Sequence, residues 1–192
     1  MSGGVKALAV LVVVGVAAAV VISRFDFGEV IDEVTLPLRH EDIIRQQAAD
    51  KGLDPALIAA VIYEESRFRD QTSHAGARGL MQITPRTAEF IARDSGGTRF
   101  TQTDLATPQV NISYGAYYLR YLMRRYDGEE ALAVAAYNAG ETNVSRWIEE
   151  AGGRDEFDHT EDIPFPETSG YVENVLERRG EYRENYGEEL GL

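Results

Sequence analysis

The sequence contains no cysteine, and its basic residues are few compared with its acidic ones. Without cysteine the chain has no disulfide framework, thiolate metal site, thiol nucleophile or lipidated cysteine anchor. Lys+Arg 19 against Asp+Glu 32 leaves a formal net charge of −13 at pH 7 over 192 residues. A nucleic-acid binder needs a basic face that releases counterions from phosphates, so this charge argues against that class of protein.

Strand patterns and metal-ligand spacings are also scarce. No alternating apolar–polar run exceeds a few residues, and no hairpin dipeptide separates two such runs. The histidines His40, His74 and His159 lie far apart in the sequence, and the acidic stretch 155–162 lacks the spacing of a calcium loop, so we expect no metal and no cofactor. The hydrophobic fraction of 44% and charged fraction of 27% indicate one folded domain.

One long hydrophobic run is present near the start of the sequence. It extends from Ala7 to Ile22, with Lys6 before it and Arg24 after it. This pattern is typical of a secretory signal segment, and the run is at the short end of the roughly 17–25 residues that a bilayer span needs. We therefore expect residues 1–24 to be a signal peptide or a signal-anchor transmembrane helix. Residues 25–36 are predicted to be a linker and 37–192 an exported domain.

The predicted domain is all-α. Apolar residues recur at helical spacing, and proline, glycine and small polar residues mark the helix ends. Asp54 is the predicted N-cap of the second helix, and Thr168 or Ser169 that of the last. The predicted helices extend from Glu41 to Lys51, Pro55 to about Phe68, Pro85 to Ala92, Pro108 onwards, Ala131 to Asn138, Thr142 to Ala151 and Gly170 to about Tyr186.

The helix that starts at Pro55 carries the most informative side chain, Glu65. On a helical wheel Glu65 falls in the middle of an apolar stripe, whereas Glu64 falls at its edge and is expected to be a solvated or rim carboxylate. Burial should raise the pKa of Glu65, and a carboxyl that stays neutral near pH 7 can act as a general acid. A buried glutamate satisfied by a structural partner is the alternative. The stripe consists of Leu57, Ile58, Val61, Ile62 and Phe68.

Several short motifs follow Glu65 in a distinctive order. Together they resemble the catalytic domain of lytic transglycosylases of the soluble (SLT) type, related to goose-type lysozyme, over about Leu36 to Tyr186. The motifs are Glu65-Ser66, Ser73, Gly76-Ala77, Gly79-Leu80-Met81-Gln82, Pro85, Thr87-Ala88, Ala136-Tyr137-Asn138-Ala139-Gly140, Ile163-Pro164-Phe165-Pro166-Glu167-Thr168 and Tyr171-Val172.

This resemblance implies a lysozyme-like helical domain and a defined reaction. The enzyme would cleave the β-1,4 bond between N-acetylmuramic acid and N-acetylglucosamine and form a 1,6-anhydromuramoyl product. Glu65 would act first as general acid and then as base, so that no second carboxylate is required, although two are usual in glycosidases. A lysozyme-like hydrolase and a non-catalytic peptidoglycan-binding envelope protein are the alternatives.

The resemblance also implies a set of substrate-binding residues. For Gln82 an exposed helix-start position is the alternative, for Asn138 a helix cap, and for Met81 packing at the cleft wall. Two departures from the family pattern are a shortened stretch before Ser73 and Thr84 in place of a common methionine. The implied residues are Ser73, Met81, Gln82, Tyr137, Asn138, Glu167 and Tyr171, with Tyr171 expected to hydrogen-bond near Glu65.

The expected partners follow from this function. They are peptidoglycan glycan strands, the membrane through the N-terminal segment, and an unidentified component of the envelope machinery. The expected location is the cell envelope, either membrane-anchored or periplasmic or extracellular. No nucleic acid is expected.

Overall fold

Proline and capping residues determine where the helices begin. The computed structural model describes residues 36–96 and 101–192, and within these ranges all extended regular structure is helical. The predicted signal or anchor segment and nearly all of the predicted linker lie outside the described residues. The helices are α1 (Glu41–Lys51), α2 (Pro55–Ser66), α3 (Pro85–Asp94), α4 (Pro108–Arg125), α5 (Glu130–Ala139), α6 (Glu141–Glu150), α7 (Pro166–Asn185) and α8 (Gly187–Leu190), with 3-10 turns at Gln102–Ala106 and Arg154–Glu156.

Helix α2 is the centre of the domain. Asp54 caps it as predicted, since its Oδ1 accepts a hydrogen bond of 3.0 Å from the backbone N–H of Ala56, and Pro55 occupies the first turn, where its missing N–H is no loss. Nearly every residue of α2 is buried, because α7 packs along it and α1 crosses it. Helix α5 packs against both α4 and α7, so α2 and α5 form the core.

Two helix ends differ from the sequence-based prediction. Helix α2 ends at Ser66 rather than near Phe68, because Arg67 and Phe68 both adopt left-handed backbone conformations, at φ 52° and 58°. Helix α7 begins at Pro166 rather than Gly170, with the proline in its first turn. The predicted caps, Thr168 and Ser169, therefore lie inside the helix.

The α-helices of the described residues are between 4 and 20 residues long. None of those in residues 36–96 and 101–192 combines the length and apolar character that crossing a membrane requires. The domain that carries the candidate site is the unit Leu38–Leu192.

Candidate active site

The loop between α2 and α3 folds back over the end of α2. Its turns are held by two isolated antiparallel bridges, Thr72 with Arg78 and Arg78 with Ile83. The buried hydroxyl of Ser66 fastens the loop to the helix, because it bonds to the carbonyl of Leu80 at 2.7 Å and to that of Ile62 at 3.1 Å. The loop is thus positioned by the residue that directly follows Glu65.

A buried asparagine on α4 holds the other side of this loop. The Oδ1 of Asn111 accepts from the backbone N–H of Met81 at 2.7 Å, and its Nδ2 donates to the carbonyls of Arg78 at 2.8 Å and Leu105 at 3.0 Å. Gly79 is required here, because its φ is +77° and a Cβ would lie 2.1 Å from Asn111 Nδ2. Every polar atom of the Asn111 amide group is therefore used to position the loop.

Glu65 lies at the end of α2 with its side chain largely shielded from water. The hydroxyl of Tyr171, which is buried on α7, donates a hydrogen bond of 2.7 Å to Glu65 Oε1. Gln71 Nε2 donates to the backbone carbonyl of Glu65 at 3.1 Å. Among the residues that the structure describes, no Lys, Arg or His forms an ion pair with Glu65. The expected hydrogen bond between Tyr171 and Glu65 is present.

The surroundings of Glu65 raise its pKa from 4.5 to about 7. Burial is the largest cause, because it disfavours the carboxylate, and the charge of Glu64 acts in the same direction. The Tyr171 hydroxyl acts in the opposite direction, because it stabilises the ionised form. The predicted effect of burial on the pKa is confirmed, and the group exchanges its proton close to neutral pH.

Glu64 is a partly covered carboxylate at the edge of the stripe, which fits the rim position rather than the fully solvated one. Its side chain is only 16% exposed, and its Oε1 lies 3.8 Å from the Nε of Arg178. Asn174 Nδ2 donates to its Oε2 at 3.3 Å. Both partners belong to α7, which covers the edge of the α2 stripe, so the adjacent glutamates have different partners.

Tyr137 and Met81 form the floor of the site. The Tyr137 hydroxyl donates to the backbone carbonyl of Met81 at 2.9 Å. Burial raises the pKa of Tyr137 and of Tyr171 well above the ordinary value, and the charge of Glu65 adds to this, so both phenols remain protonated donors.

The Met81 side chain is packed in the interior, as in the alternative to a substrate contact given above. Met81 is 0% exposed, and a Cβ on Gly115 would lie 2.2 Å from its Sδ. The side chain therefore fills the space above a glycine of α4. Only the backbone groups of Met81, which bond to Asn111 and Tyr137, shape the site.

Gln82 and Ser73 stabilise the loop. Gln82 has φ 46°, and its Nε2 donates to the carbonyls of Gly79 at 2.8 Å and Gln71 at 3.1 Å, so it is not the exposed helix-start residue of the alternative reading. Ser73 closes a turn with Ala77, since its Oγ accepts from the Ala77 N–H at 3.0 Å. The Gln82 side-chain oxygen makes no hydrogen bond with the described residues.

The end of α5 and the start of α7 meet at Asn138. The hydroxyl of buried Thr168 donates to Asn138 Oδ1 at 2.8 Å, so Asn138 joins the two helices, while Gly140 follows the end of α5. Glu167 is exposed in the first turn of α7 and forms no ion pair with the residues described. The structure thus places Glu65 of α2, Tyr171 of α7 and Tyr137 of α5 around the loop that carries Gln82. Asn138 and Glu167 lie at the α5–α7 junction.

Two contributors were not identified from the sequence as part of the site. Asn111 had a recognisable signal, because a single amide lies among apolar residues on the buried face of α4. Gln71 had none, since its contact with the Glu65 carbonyl depends on the path of the loop. In residues 36–96 and 101–192 no group of His, Asp or Glu side chains could hold a metal ion.

The described domain is all-helical and holds one shielded carboxyl of near-neutral pKa beside tyrosines, which is the arrangement expected of a lysozyme-like domain. The Transglycosylase SLT domain model matches residues 42–160. The chain belongs to the transglycosylase SLT domain family. It is 33% identical over 163 residues to the soluble lytic murein transglycosylase of Escherichia coli K12, covering 83% of this chain and 25% of that protein. A membrane-bound lytic murein transglycosylase F from Desulfosudis oleivorans is 37% identical over 113 residues, covering 55% of this chain and 23% of the relative.

Solved structures show the same similarity. An inactive mutant of lytic transglycosylase Slt from Pseudomonas aeruginosa has a TM-score of 0.74 at 35% identity, covering 81% of this chain and 26% of that one. The 70 kDa soluble lytic transglycosylase of Escherichia coli has a TM-score of 0.74 at 32% identity, covering 79% of this chain and 25% of that one. This chain therefore spans about a quarter of the length of these relatives.

Proposed function

We propose that the chain is a peptidoglycan lytic transglycosylase in which Glu65 is the catalytic acid and base. The observation that carries this proposal is the state of Glu65: it is shielded, has a pKa of about 7, accepts a hydrogen bond from Tyr171, and has no cationic partner among the described residues. A carboxyl in this state is present in both protonation forms near neutral pH, which suits a group that first gives and then takes a proton.

The reaction needs two proton transfers at one carboxyl. Protonated Glu65 donates to the oxygen of the β-1,4 bond while the bond from that oxygen to the muramoyl anomeric carbon breaks. The muramoyl C6 hydroxyl then attacks the anomeric carbon, and its proton passes to the Glu65 carboxylate. The products are a 1,6-anhydromuramoyl end and a free N-acetylglucosamine end, and no water is consumed.

The neighbouring groups support this cycle. Tyr171 stabilises the carboxylate that is present between the two proton transfers, and it retains its own proton because its pKa is raised. Glu64 does not serve as a second catalytic carboxylate in this proposal, because Arg178 and Asn174 engage it. One carboxyl is sufficient because the attacking hydroxyl belongs to the substrate.

The proposed substrate contacts are assigned by the polar atoms that the fold leaves available. Gln82 presents its side-chain oxygen, Asn138 its amide N–H groups, and Glu167 its exposed carboxylate. We also propose sugar contacts by Tyr137, Ser73 and Tyr171, which keep the hydrogen bonds described above. Met81 is retained only as a residue that positions the site.

The location follows from the substrate. We infer a cell-envelope enzyme whose residues 1–24 act as signal or membrane anchor and whose residues 25–36 link them to a catalytic domain at 37–192. The hydrophobic run Ala7–Ile22 supports this, as do relatives whose names describe soluble and membrane-bound murein transglycosylases. Peptidoglycan strands are the proposed partner, and an unidentified envelope protein is proposed to recruit the enzyme.

Product analysis tests the proposal directly. The purified chain is incubated with peptidoglycan sacculi, and the released fragments are analysed by mass spectrometry. We expect 1,6-anhydro products, which are lighter by one water than hydrolytic products. Glu65→Gln should lower the rate by about 10²–10⁴-fold, the usual contribution of a positioned acid–base group.

Glu64→Gln is the matched control, because it removes an adjacent carboxylate and should leave most of the activity. Reducing-end muramic acid in place of the anhydro product would establish the hydrolase instead. Tight binding to sacculi by the unmodified chain with no release of fragments would establish the non-catalytic binding protein.

A further inference from the structure

A cavity of about 420 Å³ lies where the ends of α1 and α3 meet one face of α4. The end of α1 contributes residues 50–52, and α3 contributes its last residue, Asp94. The residues that α4 contributes lie one turn apart on a single face of that helix, and they are Tyr117, Arg120, Tyr121 and Arg124. None of these residues belongs to the candidate active site or to the set proposed to contact the sugar. The cavity is therefore a feature that the proposed function does not use.

Three cations line this cavity: Lys51, Arg120 and Arg124. Within residues 36–96 and 101–192, none of them forms an ion pair with a carboxylate. The Nε of Arg120 is a buried donor that has no hydrogen-bond acceptor. Because buried donors are normally bonded, this guanidinium group lacks the compensation that its surroundings call for. An anion in the cavity would supply part of that compensation.

Lys51 is held at the mouth of the cavity by a neutral partner. Its side chain is half-buried, and its ammonium group donates a hydrogen bond to the side-chain oxygen of Gln47, one turn earlier in α1. Burial lowers the pKa of Lys51, and the charge of Asp50 opposes this only in part. Because an ammonium group has three N–H donors and Gln47 takes one, donors remain for a ligand.

Two carboxylates also line the cavity, but neither is paired with its cations in the part of the chain that the structure describes. Asp94 Oδ2 accepts a hydrogen bond of 2.8 Å from the hydroxyl of Tyr117, and Asp50 is exposed. The cavity thus has more cationic than anionic groups in a chain of net charge −13. The two carboxylates disfavour an extended polyanion, so the arrangement suits one compact anionic group between α1 and α4.

A phosphate group fits this arrangement of donors. Its tetrahedral oxygens accept hydrogen bonds from several sides at once, whereas a planar carboxylate is satisfied by a single guanidinium fork. We propose that this cavity binds a phosphate group, with Lys51 on one side and Arg120 and Arg124 on the other. Phosphate esters in solution and phospholipid headgroups share this chemistry. The inference goes beyond the proposed function and does not depend on it.

The lysine content of the chain provides a site-specific test, because its lysines are Lys6 and Lys51. The full chain in a neutral detergent is methylated with formaldehyde and cyanoborohydride, and mass spectrometry follows the rate at each lysine. The probes are inorganic phosphate, glycerol phosphate and detergent micelles that contain phosphatidylglycerol, all at equal ionic strength. Bound phosphate should slow methylation of Lys51 about tenfold once its concentration reaches about ten times Kd. Lys6 is the reference, and free phosphate should leave its rate unchanged.

Two variants show whether the cavity is responsible. Arg120→Gln/Arg124→Gln should raise the Kd for phosphate about three- to tenfold, as expected for partly screened charge pairs. Arg39→Gln/Arg86→Gln removes the same charge from two exposed positions that do not line the cavity, and it should behave like the unmodified chain.

The probes also separate the two sources of the phosphate group. Protection of Lys51 by inorganic or glycerol phosphate would support a soluble ligand, and protection by phosphatidylglycerol micelles alone would support a lipid headgroup. The site would be overturned if no probe protected Lys51 in the unmodified chain. It would also be overturned if the protection were unchanged in Arg120→Gln/Arg124→Gln. Neither result affects the proposed function, which the analysis of peptidoglycan products tests separately.

Discussion

The carboxylates at the two ends of the antiparallel pair α2 and α7 have different kinds of partner: cations at one end and a neutral hydroxyl at the other. At the start of α2, Asp54 Oδ2 lies 2.6 Å from Arg179 Nε and 2.9 Å from Arg183 Nη1. Arg179 also reaches Glu130 at 3.2 Å. At the other end of α2, α7 contributes a neutral hydroxyl to Glu65, that of Tyr171.

This difference separates carboxylates that stabilise the fold from the one that is free to exchange a proton. A cation beside Glu65 would favour its ionised form and lower its pKa, as ion pairs do in general. Helix α7 instead directs Arg178 to Glu64, the adjacent residue. The helix pair that holds the domain together therefore also determines which glutamate keeps a near-neutral pKa.

The largest expected effect is on stability, through Glu65→Gln. A carboxyl whose folded pKa is raised from 4.5 to about 7 binds more protons in the native than in the unfolded state. Between these values stability therefore falls as pH rises, and above the folded pKa the destabilisation reaches up to about 3 kcal/mol. Glutamine removes this penalty. Urea denaturation should show Glu65→Gln to be more stable than the unmodified chain around pH 8, with the difference disappearing at about pH 4.

The control for this experiment is Glu64→Gln, which loses a contact with Arg178 and relieves only the smaller part of the Glu65 penalty that comes from the Glu64 charge. A Glu65→Gln variant that is less stable than the unmodified chain at both pH values would show that the carboxyl is compensated after all. The comparison between the two ends of α2 would then lose its basis.

Substitutions at the start of α2, where arginines compensate the carboxylate of Asp54, should lower the unfolding free energy rather than raise it. Asp54→Ala removes the N-cap of α2 and leaves Arg179 and Arg183 without their shared partner, so we expect a loss of about 2 kcal/mol in unfolding free energy. Asp54→Asn keeps the capping oxygen and should lose less. Thermal or urea denaturation of both variants at neutral pH measures the difference, and equal small losses would contradict a structural role for this cluster.

The third effect is a shift in the pH–activity profile by Tyr171→Phe. The hydroxyl stabilises the Glu65 carboxylate, so its removal should raise the pKa of Glu65 by about one unit. Because the proposed cleavage needs the protonated acid, the alkaline limb of the kcat/KM profile should move to higher pH. Tyr117→Phe is the control, since its hydroxyl bonds to Asp94 away from the site. An unchanged or downward-shifted limb would remove Tyr171 from the control of Glu65.

Local sequence features were sufficient for most of the fold and for the central residue. The apolar stripe, Pro55 and the Asp54 cap define α2 within one polypeptide segment, so the position of Glu65 on its buried face follows from helical periodicity alone. The start of α7 was misplaced because Thr168, which looks like a cap in sequence, instead bonds to Asn138 of another helix.

Features that depend on distant segments could not be obtained in this way. Glu64 was expected to be a solvated or rim carboxylate, and the choice between the two depends on Arg178 and Asn174, more than a hundred positions away, which cover it. Met81 was assigned to the substrate because a motif position does not show which way a side chain points, and here it points at Gly115. The periodicity of one helix reveals its buried face but not the groups that a partner helix places on it.

The smallest expected effect tests how the charge of Glu64 influences the pKa of Glu65. Arg178 Nε lies 3.8 Å from Glu64 Oε1, and its Nη1 lies 2.5 Å from Glu181 Oε2. Arg178→Gln should leave the Glu64 charge less compensated, and because that charge raises the pKa of Glu65, the alkaline limb should move upward by a few tenths of a pH unit. In a chain that already carries Glu64→Gln, Arg178→Gln should cause no shift of the alkaline limb, since no charge at position 64 then remains to compensate. A shift as large as that of Tyr171→Phe, or one that persists in the double variant, would mean that Arg178 acts on Glu65 by altering the packing of α7 against α2 rather than through Glu64.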